Sequence, residues 1–576
     1  MISRSNRRRL PAALLAMCLS LIGGTVSAAD TAVAPTPIAA SRQRPGHAAI
    51  ASANFLATNA GLSVLAKGGN AFDAAVAVAS TLSVVEPESS GIGGGFMAVL
   101  HRAKDGSNVF IDARETAPAA VNSKDYVNPD GSPNRQASLT GPLSAGIPGE
   151  PAGLVLIARR YGRLSLQQSL APAIRIARDG FQPDPRLHGT IVAEQQALKR
   201  WPASAAKYLV NGQPPAQGAI WRDPEQARTL ELIAAHGDEG FYHGPTAGKL
   251  VDAVRAAGGN WTLADLAHYR VRERTPISVD YRGYKIITAP PPSSGGVAIA
   301  EILNILSGFD LTGMDQAQRI HYIVEAMRRA FRDHNDYLGD PDFVKMPLDM
   351  LLSPYYADGL RQGILADRAT PSSMLPRAEA ASPGMHTTHF SIIDADGNMA
   401  AVTLTVNTTL GSKFVAAGTG VLLNNEMDDF ALVPNKPNVY GLLGNKANAP
   451  VGGKRMLSSM SPSIVIGPKR TMVIGSPGGS TIITQVLEGM LEFMDGETAQ
   501  QIVAHKRFHH QYLPDLVMVE PGAFDPATSA ALTKMGYVLK QREPWGFMNV
   551  VTWDRSNNKL DAASDPRRPS GLGKVQ

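Results

Sequence analysis

The sequence predicts an α+β fold, because helices and antiparallel strands occupy separate stretches instead of alternating. Three stretches carry this reading. Residues 150–270 read as successive helices, Glu150–Tyr161 and Ser165–Asp179 among them. Residues 388–406 alternate in polarity around an Asp394-Ala395-Asp396-Gly397-Asn398 turn, the pattern of a hairpin. Ser463–Ile466 and Met472–Gly475 read as further strands, the second leading through glycines into a helix over Thr481–Phe493.

Composition is ordinary for a soluble globular chain, 44% apolar and 18% charged over 576 residues. That length suits one large unit or about two to four domains. The net charge of +5 overstates the basic character. Arg4, Arg7, Arg8 and Arg9 precede residue 30 with no acid among them, and without them the charge is about +1. This argues against a nucleic-acid partner. Met1–Ala29 reads as a secretory signal with a basic start, an apolar segment over 10–22 and a cut after Ala28 or Ala29. The arginine run also admits a twin-arginine route. Cys18, the only cysteine, lies inside this segment, so the mature chain has no disulfide and no cysteine-held metal. No later apolar run is long enough to span a bilayer, so stable membrane insertion is not expected. The expected destination is the periplasm or the medium.

Ala48–Val85 reads as helical, with Asn70 capping a helix over Ala71–Val85. That helix is rich in Ala and Val on every face and should be buried. The Gly91–Gly95 run is followed by strands at Met97–His101 and Val109–Asp112, not by a helix, which favours close backbone packing over a nucleotide loop. Arg114 ends the second strand beside acids, so an ion pair explains it as readily as a ligand does. Val279–Ala289 reads as one strand and Val297–Leu306 as a helix. His321–Asp336 reads as an amphipathic helix. Its His321 and His334 are too far apart to share a metal and suit capping or surface positions.

In the hairpin, Gly397 suits the left-handed position of a three-residue loop. Asp394 then pairs with Asn398, and Thr387 falls opposite Thr405. A two-residue loop at Asp396-Gly397 would slip the register by one and exchange the faces. The first register gathers polar groups: Thr403, Thr405 and Asn407 share a face with Thr387, while Ala400, Val402, Leu404 and Val406 face an apolar layer. Taken alone, the hairpin also fits threonines chosen only for β-propensity.

Glu426, Asp428 and Asp429 crowd one turn. Without alternating ligands and a final bidentate acid they make a poor calcium loop, and they suit an ammonium group or solvent. Residues 434–454 form a Pro/Gly/Asn-rich loop with Tyr440 near its middle, a length usually functional or disordered. Ser476-Pro477-Gly478-Gly479-Ser480 places backbone amides at the positive end of a helix dipole, where an oxyanion is stabilised. His509 and His510 are adjacent and point apart on most backbones, so a shared metal is not expected.

Together, TTHFSIID at 387–394, TLTVNTTLGS at 403–412, LLNNEMDDF at 422–430, PNVYGL at 437–442, LSSMSPSIV at 457–465 and GSPGGS at 475–480 resemble γ-glutamyltransferase (γ-glutamyltranspeptidase), of the N-terminal nucleophile hydrolase superfamily. The resemblance covers nearly all of the mature chain. It implies a four-layer αββα sandwich and a cut between His386 and Thr387. Residues 30–386 would then form a large subunit and 387–576 a small one, held together as a heterodimer. It further implies Thr387 as the nucleophile, oriented by Thr405, with Gly478 and Gly479 as the oxyanion hole. Arg114, Ser458 and Ser459 would hold the substrate α-carboxylate, and Asn407, Glu426 and Asp429 its ammonium group. Tyr440 would belong to a lid that some relatives lack. The implied reactions are hydrolysis of glutathione and other γ-glutamyl compounds, and transfer to amino-acid or peptide acceptors. No metal or organic cofactor is implied. A glutaryl-cephalosporin acylase on the same fold, or an uncut γ-glutamyl-binding protein, are the competing expectations.

Overall fold

The computed structural model describes residues 43–375, 387–433, 436–444 and 446–576, and Arg44–Gln576 form one compact unit. His386 and the segment 1–29, on which two of the expectations fall, lie outside the described residues. In chain order the strands before residue 387 are β1 (Ala49–Ser52), β2 (Gly95–Arg102), β3 (Ser107–Ala113), β4 (Arg272–Arg274), β5 (Ile277–Tyr281) and β6 (Tyr284–Thr288). Those after it are β7 (Thr388–Ile393), β8 (Met399–Thr405), β9 (Val415–Ala416), β10 (Val421–Leu422), β11 (Ser463–Ile466) and β12 (Arg470–Gly475), then β13 (Phe508–His509), β14 (Val517–Val519), β15 (Leu539–Gln541), β16 (Asn549–Asp554), β17 (Lys559–Ser564) and β18 (Leu572–Val575).

Two antiparallel sheets face each other. One runs β18-β1-β7-β8-β2-β3-β4 and the other β17-β16-β12-β11-β6-β5. Both combine strands from before and after residue 387, so neither sheet is complete without both parts of the chain. Strand periodicity sorts the side chains. Phe390, Ile392, Ala400, Val402 and Leu404 pack outward with the helix Ala71–Val85, every residue of which is buried. On the other face of the same strands, Ile393, Met399 and Ala401 join a core with Val465, Met472 and Val473 of the second sheet. Beyond the second sheet lie the helices Gly295–Leu306, Gln316–Tyr337 and Thr481–Met494, whose apolar residues belong to that same core. The layering is the four-layer αββα sandwich.

The hairpin has the three-residue loop. Thr388 pairs with Leu404 and Ile393 with Met399, Asp394 N–H donates to Asn398 O, and Gly397 has φ +88°. This register continues to Thr387 opposite Thr405.

Three expectations need correction. Ala49–Ser52 is a strand and not helix, because its short apolar run completes a sheet between β7 and β18. Tertiary pairing overrides local propensity there. Residues 279–289 are not one strand. Arg282 and Gly283, at φ +50° and +77°, turn the chain between β5 and β6. His321 and His334 are buried, at 0% and 3% exposure, and do not lie on the surface.

A polar seam joins the sheets directly behind Thr387. His389 is fully buried and bonds Thr403 Oγ1 through Nδ1 at 2.8 Å and Ser391 Oγ through Nε2 at 3.1 Å. Asn549 Nδ2 of β16 donates to His389 O, and Ser391 Oγ donates to Asn549 O. Burial holds the His389 imidazole down to about 3, so it stays neutral at working pH. The ring lies flat on Gly475. A Cβ there would stand 2.3 Å from His389 Cε1. Gly475→Ala should therefore cost about 1–3 kcal/mol of stability by overpacking. Thermal unfolding of the variant is the check, and activity should fall with it because the β7–β12 spacing sets the site.

Candidate active site

The sheet edges converge on a recess. It is lined by Thr387, Thr405, Asn407, Arg114, Glu426, Asp429, Tyr440, Ser458, Ser459 and Gly479, which are far apart in the sequence. Gly478 is the one predicted site residue that does not line it and stands one residue behind.

Each group is placed by its strand end. Thr387 enters β7 and Thr405 leaves β8, and Thr387 Oγ1 donates to Thr405 Oγ1 at 3.4 Å. Asn407 N–H also donates to Thr405 Oγ1, at 2.7 Å. Asn407 holds φ +75°, which asparagine tolerates better than most residues. That kink ends β8 beside the nucleophile candidate. The glycine run packs as predicted from sequence: a Cβ on Gly94 would stand 2.1 Å from Thr405 O, so only glycine allows that approach.

Arg114 follows β3 and is 1% exposed. Its NH1 lies 2.6 Å from Glu426 and 3.4 Å from Glu115, and its NH2 lies 2.5 Å from Asp429. The guanidinium also donates to Met456 O and Leu457 O, both at 3.3 Å. Three acids thus surround one buried cation. Burial disfavours the Arg114 charge, but Glu426, Glu115 and Asp429 outweigh it and hold the group firmly protonated. The acids carry the cost. Burial pushes Glu426 up to about 7, against the pull of Arg114 and with Glu115 adding to the rise. Glu115 is pushed up to about 8 by the same burial. Asp429 is raised well above its ordinary value by burial and by Glu426. The Thr405 hydroxyl is close enough to Glu426 to hold its pKa down somewhat. Three carboxyl groups surround one cation, so the cluster can take a second positive charge once Glu426 ionises, above about 7. Glu115 is a member that sequence reasoning missed. Its signal was the Arg114-Glu115 adjacency, which was read as a possible surface pair.

The loop closes the top. Tyr440 is buried and its hydroxyl donates to Asn407 O at 2.7 Å. Val439 N–H donates to the buried Asp428 carboxylate, which Arg135 and Ser138 also bind. Beneath it, Ser458 N–H donates to Pro292 O and Ser294 N–H to Ser458 O, which fixes the serine pair against the second sheet. Opposite, Gly479 has φ +58° and Gly478 φ +142° before the helix Thr481–Met494. Their carbonyls accept from Ile482 and Thr481 N–H. Neither amide donates to a protein acceptor among the described residues. His509 and His510 point apart, to Thr484 and Asp515.

The Gamma-glutamyltranspeptidase family model matches residues 57–575. The chain belongs to this family. Among γ-glutamyltranspeptidase relatives, the glutathione hydrolase proenzyme of Pseudomonas sp. (strain A14) is 42% identical and covers 97% of this chain and 98% of its own. The proenzyme of the same name from Escherichia coli (strain K12) is 41% identical over 91% of each chain. Helicobacter pylori γ-glutamyltranspeptidase, a solved structure, is 38% identical with a TM-score of 0.54. It is matched over 92% of its chain by 55% of this one. A cephalosporin acylase from Bacillus halodurans shares the fold at TM-score 0.79 and 29% identity, over 92% and 95% of the two chains. The γ-glutamyltranspeptidase motifs, 387–394 to 475–480, are the segments that build the recess.

Proposed function

We propose that this enzyme hydrolyses glutathione and other γ-glutamyl compounds and transfers the γ-glutamyl group to amino-acid or peptide amines. The observation that carries the reading is the meeting of Thr387, Arg114 and Gly479 in one recess. A γ-glutamyl group bears a carboxylate and an ammonium on its α-carbon. Arg114, with Ser458 and Ser459, takes the carboxylate through a charge-assisted contact. Glu426, Asp429 and the Asn407 side chain take the ammonium, the second cation that the acid-rich cluster has room for. These contacts set the γ-carbonyl against Thr387.

Processing precedes turnover. The Thr387 hydroxyl attacks the His386 carbonyl, the peptide C–N bond breaks as an ester forms, and water hydrolyses that ester. Thr387 then starts a small subunit of 387–576 and carries an amine with a pKa of about 7.7–8.0, a base on the nucleophile's own residue. In turnover the hydroxyl passes its proton to this amine and attacks the γ-carbonyl. The Gly478 and Gly479 amides stabilise the oxyanion, and the leaving amine departs with the proton. Water or an acceptor amine then releases the γ-glutamyl group from Thr387. The processed state is supported by subunit-sized coverage: the solved Pseudomonas nitroreducens γ-glutamyltranspeptidase chain is matched over 94% of its length by only 55% of this chain. With the signal over 1–29, the heterodimer is assigned to the periplasm or medium. No helix among the described residues is long and apolar enough to cross a membrane.

The test is release of glutamate from glutathione, with and without glycylglycine as acceptor. A glutaryl-cephalosporin side chain has no ammonium group to meet Glu426 and Asp429. It should be turned over about 10⁴-fold less efficiently than glutathione. Equal rates would make the acylase the better reading.

The pH dependence follows from Glu426. It is protonated below about 7 and anionic above, and only the anion pairs with an ammonium group. The Thr387 amine likewise accepts a proton only above its own pKa. The value of kcat/KM for glutathione should rise between pH 6 and 8. Glu426→Gln should remove the part of the rise centred near 7 and keep the later one. A profile unchanged by the substitution contradicts the role given to Glu426.

A further inference from the structure

A histidine that lines the recess takes no part in this chemistry. His334 lies near the end of the helix Gln316–Tyr337 and lines the recess together with Thr387 and Gly479. It is 3% exposed, and its Nδ1 stands 3.0 Å from Asn335 Oδ1. An amide oxygen accepts, so Nδ1 carries the proton and Nε2 keeps a bare lone pair. That Nε2 is buried and meets no donor among the described residues. A buried acceptor without a partner carries a desolvation cost that a ligand's donor relieves.

Its surroundings say which part of a ligand it meets. The His334 ring packs on Phe331, which stands edge-on to His509. His509 bonds Thr484 on the helix that follows Gly479. Burial holds the imidazole down to about 4, with the Asn335 contact pulling the other way, and no charge of the Arg114 cluster bears on it. His334 therefore belongs to the wall beside the Gly479 helix and not to the charged end. The α-carbon substituents are met at the charged end and the scissile carbonyl at Thr387 and Gly479. The portion beyond the scissile amide is left for His334.

We propose that His334 Nε2 accepts a hydrogen bond from the first peptide N–H beyond the scissile amide. The recess then selects γ-glutamyl compounds whose leaving group is an aminoacyl peptide over those bearing a simple aryl amine. This rests on the function proposed above. It involves no covalent step.

The test is the ratio of kcat/KM for glutathione to that for γ-glutamyl-p-nitroanilide, which has no N–H beyond its scissile amide. His334→Leu should lower this ratio about tenfold, the worth of one hydrogen bond. His334→Gln, which keeps an acceptor oxygen, should restore most of it. An unchanged ratio in His334→Leu, including an equal loss on both substrates, overturns the inference, and so does a glutamine variant as impaired as the leucine one. A measurement on the unaltered enzyme does not depend on how the variants fold. Replacing that peptide N–H of glutathione by an ester oxygen should lower kcat/KM by a similar factor, and an undiminished value overturns the inference. Failure of the unaltered enzyme to release glutamate from either parent substrate would instead refute the function on which it rests.

Discussion

Thr387→Ala leaves the chain in one piece of about 61 kDa before signal removal and without turnover. The substitution takes away the attacking atom of both reactions. Without Oγ1 no ester forms at the His386 carbonyl, so no α-amine is freed, and without that amine there is no base beside the nucleophile. The two losses are not separate terms that add; they act as a unit. The expected fall in kcat/KM is at least about 10⁴-fold, read by glutamate release, with a single band on a denaturing gel. Thr387→Ser keeps a hydroxyl and an amine on one residue and should still be cut and active. Folding should be largely unimpaired in the alanine variant, because the hydroxyl's contact with Thr405 is long, at 3.4 Å, and its loss costs little.

Arg114→Leu should lower kcat/KM by about 10³-fold or more and destabilise the fold in a pH-dependent way. Truncating one side of a buried ion cluster leaves the other side uncompensated, a cost of about 3–5 kcal/mol when the orphans are charged. Here three acids are orphaned. Glu426 and Glu115 already sit near 7 and 8 with the guanidinium in place. Removing it raises both further, because Arg114 is what pulls them down. An acid whose pKa is higher folded than unfolded binds its proton more tightly in the folded state. Stability therefore falls as pH rises above the unfolded value. The variant should be only mildly destabilised near pH 6, where these acids are neutral, and should lose the full amount toward pH 9. Urea unfolding at the two pH values is the check. Arg114→Lys keeps the charge and loses the fork that reaches Glu426 and Asp429 together, so activity should fall while most of the stability remains.

The sequence was most informative where local chemistry leaves few choices. Gly397 suited a left-handed turn position, and of the two registers it allowed, the one that gathers polar groups opposite Thr387 is the one the hairpin adopts. Asn70 capped its helix as expected, with bonds from Phe72 and Asp73 N–H. The glycine run at 91–95 packed as backbone against backbone. Where tertiary pairing decides, the sequence was mute. Ala49–Ser52 is a strand only because β7 and β18 flank it, and nothing in so short a run announces partners more than 300 positions away. Strand β18 went unassigned for the same reason, its partner β1 lying at the other end of the chain. Arg114 and His334 were ambiguous because burial is not a local property. An arginine beside a glutamate reads as a surface pair until the fold places Glu426 and Asp429 against it, and a histidine in an amphipathic helix reads as solvated until that helix face is covered. Six motifs, scattered over more than 90 residues, acquired a common meaning through a resemblance and then through the recess they build.

Everything depends on Thr387 becoming the first residue of a chain. The direct measurement is the intact mass and terminal sequence of the purified, active enzyme. Two non-covalently associated chains, the smaller comprising 387–576 with a free threonine amine at its start, are predicted. A single uncut chain that turns over glutathione, or a smaller chain beginning at any other residue, would contradict the account.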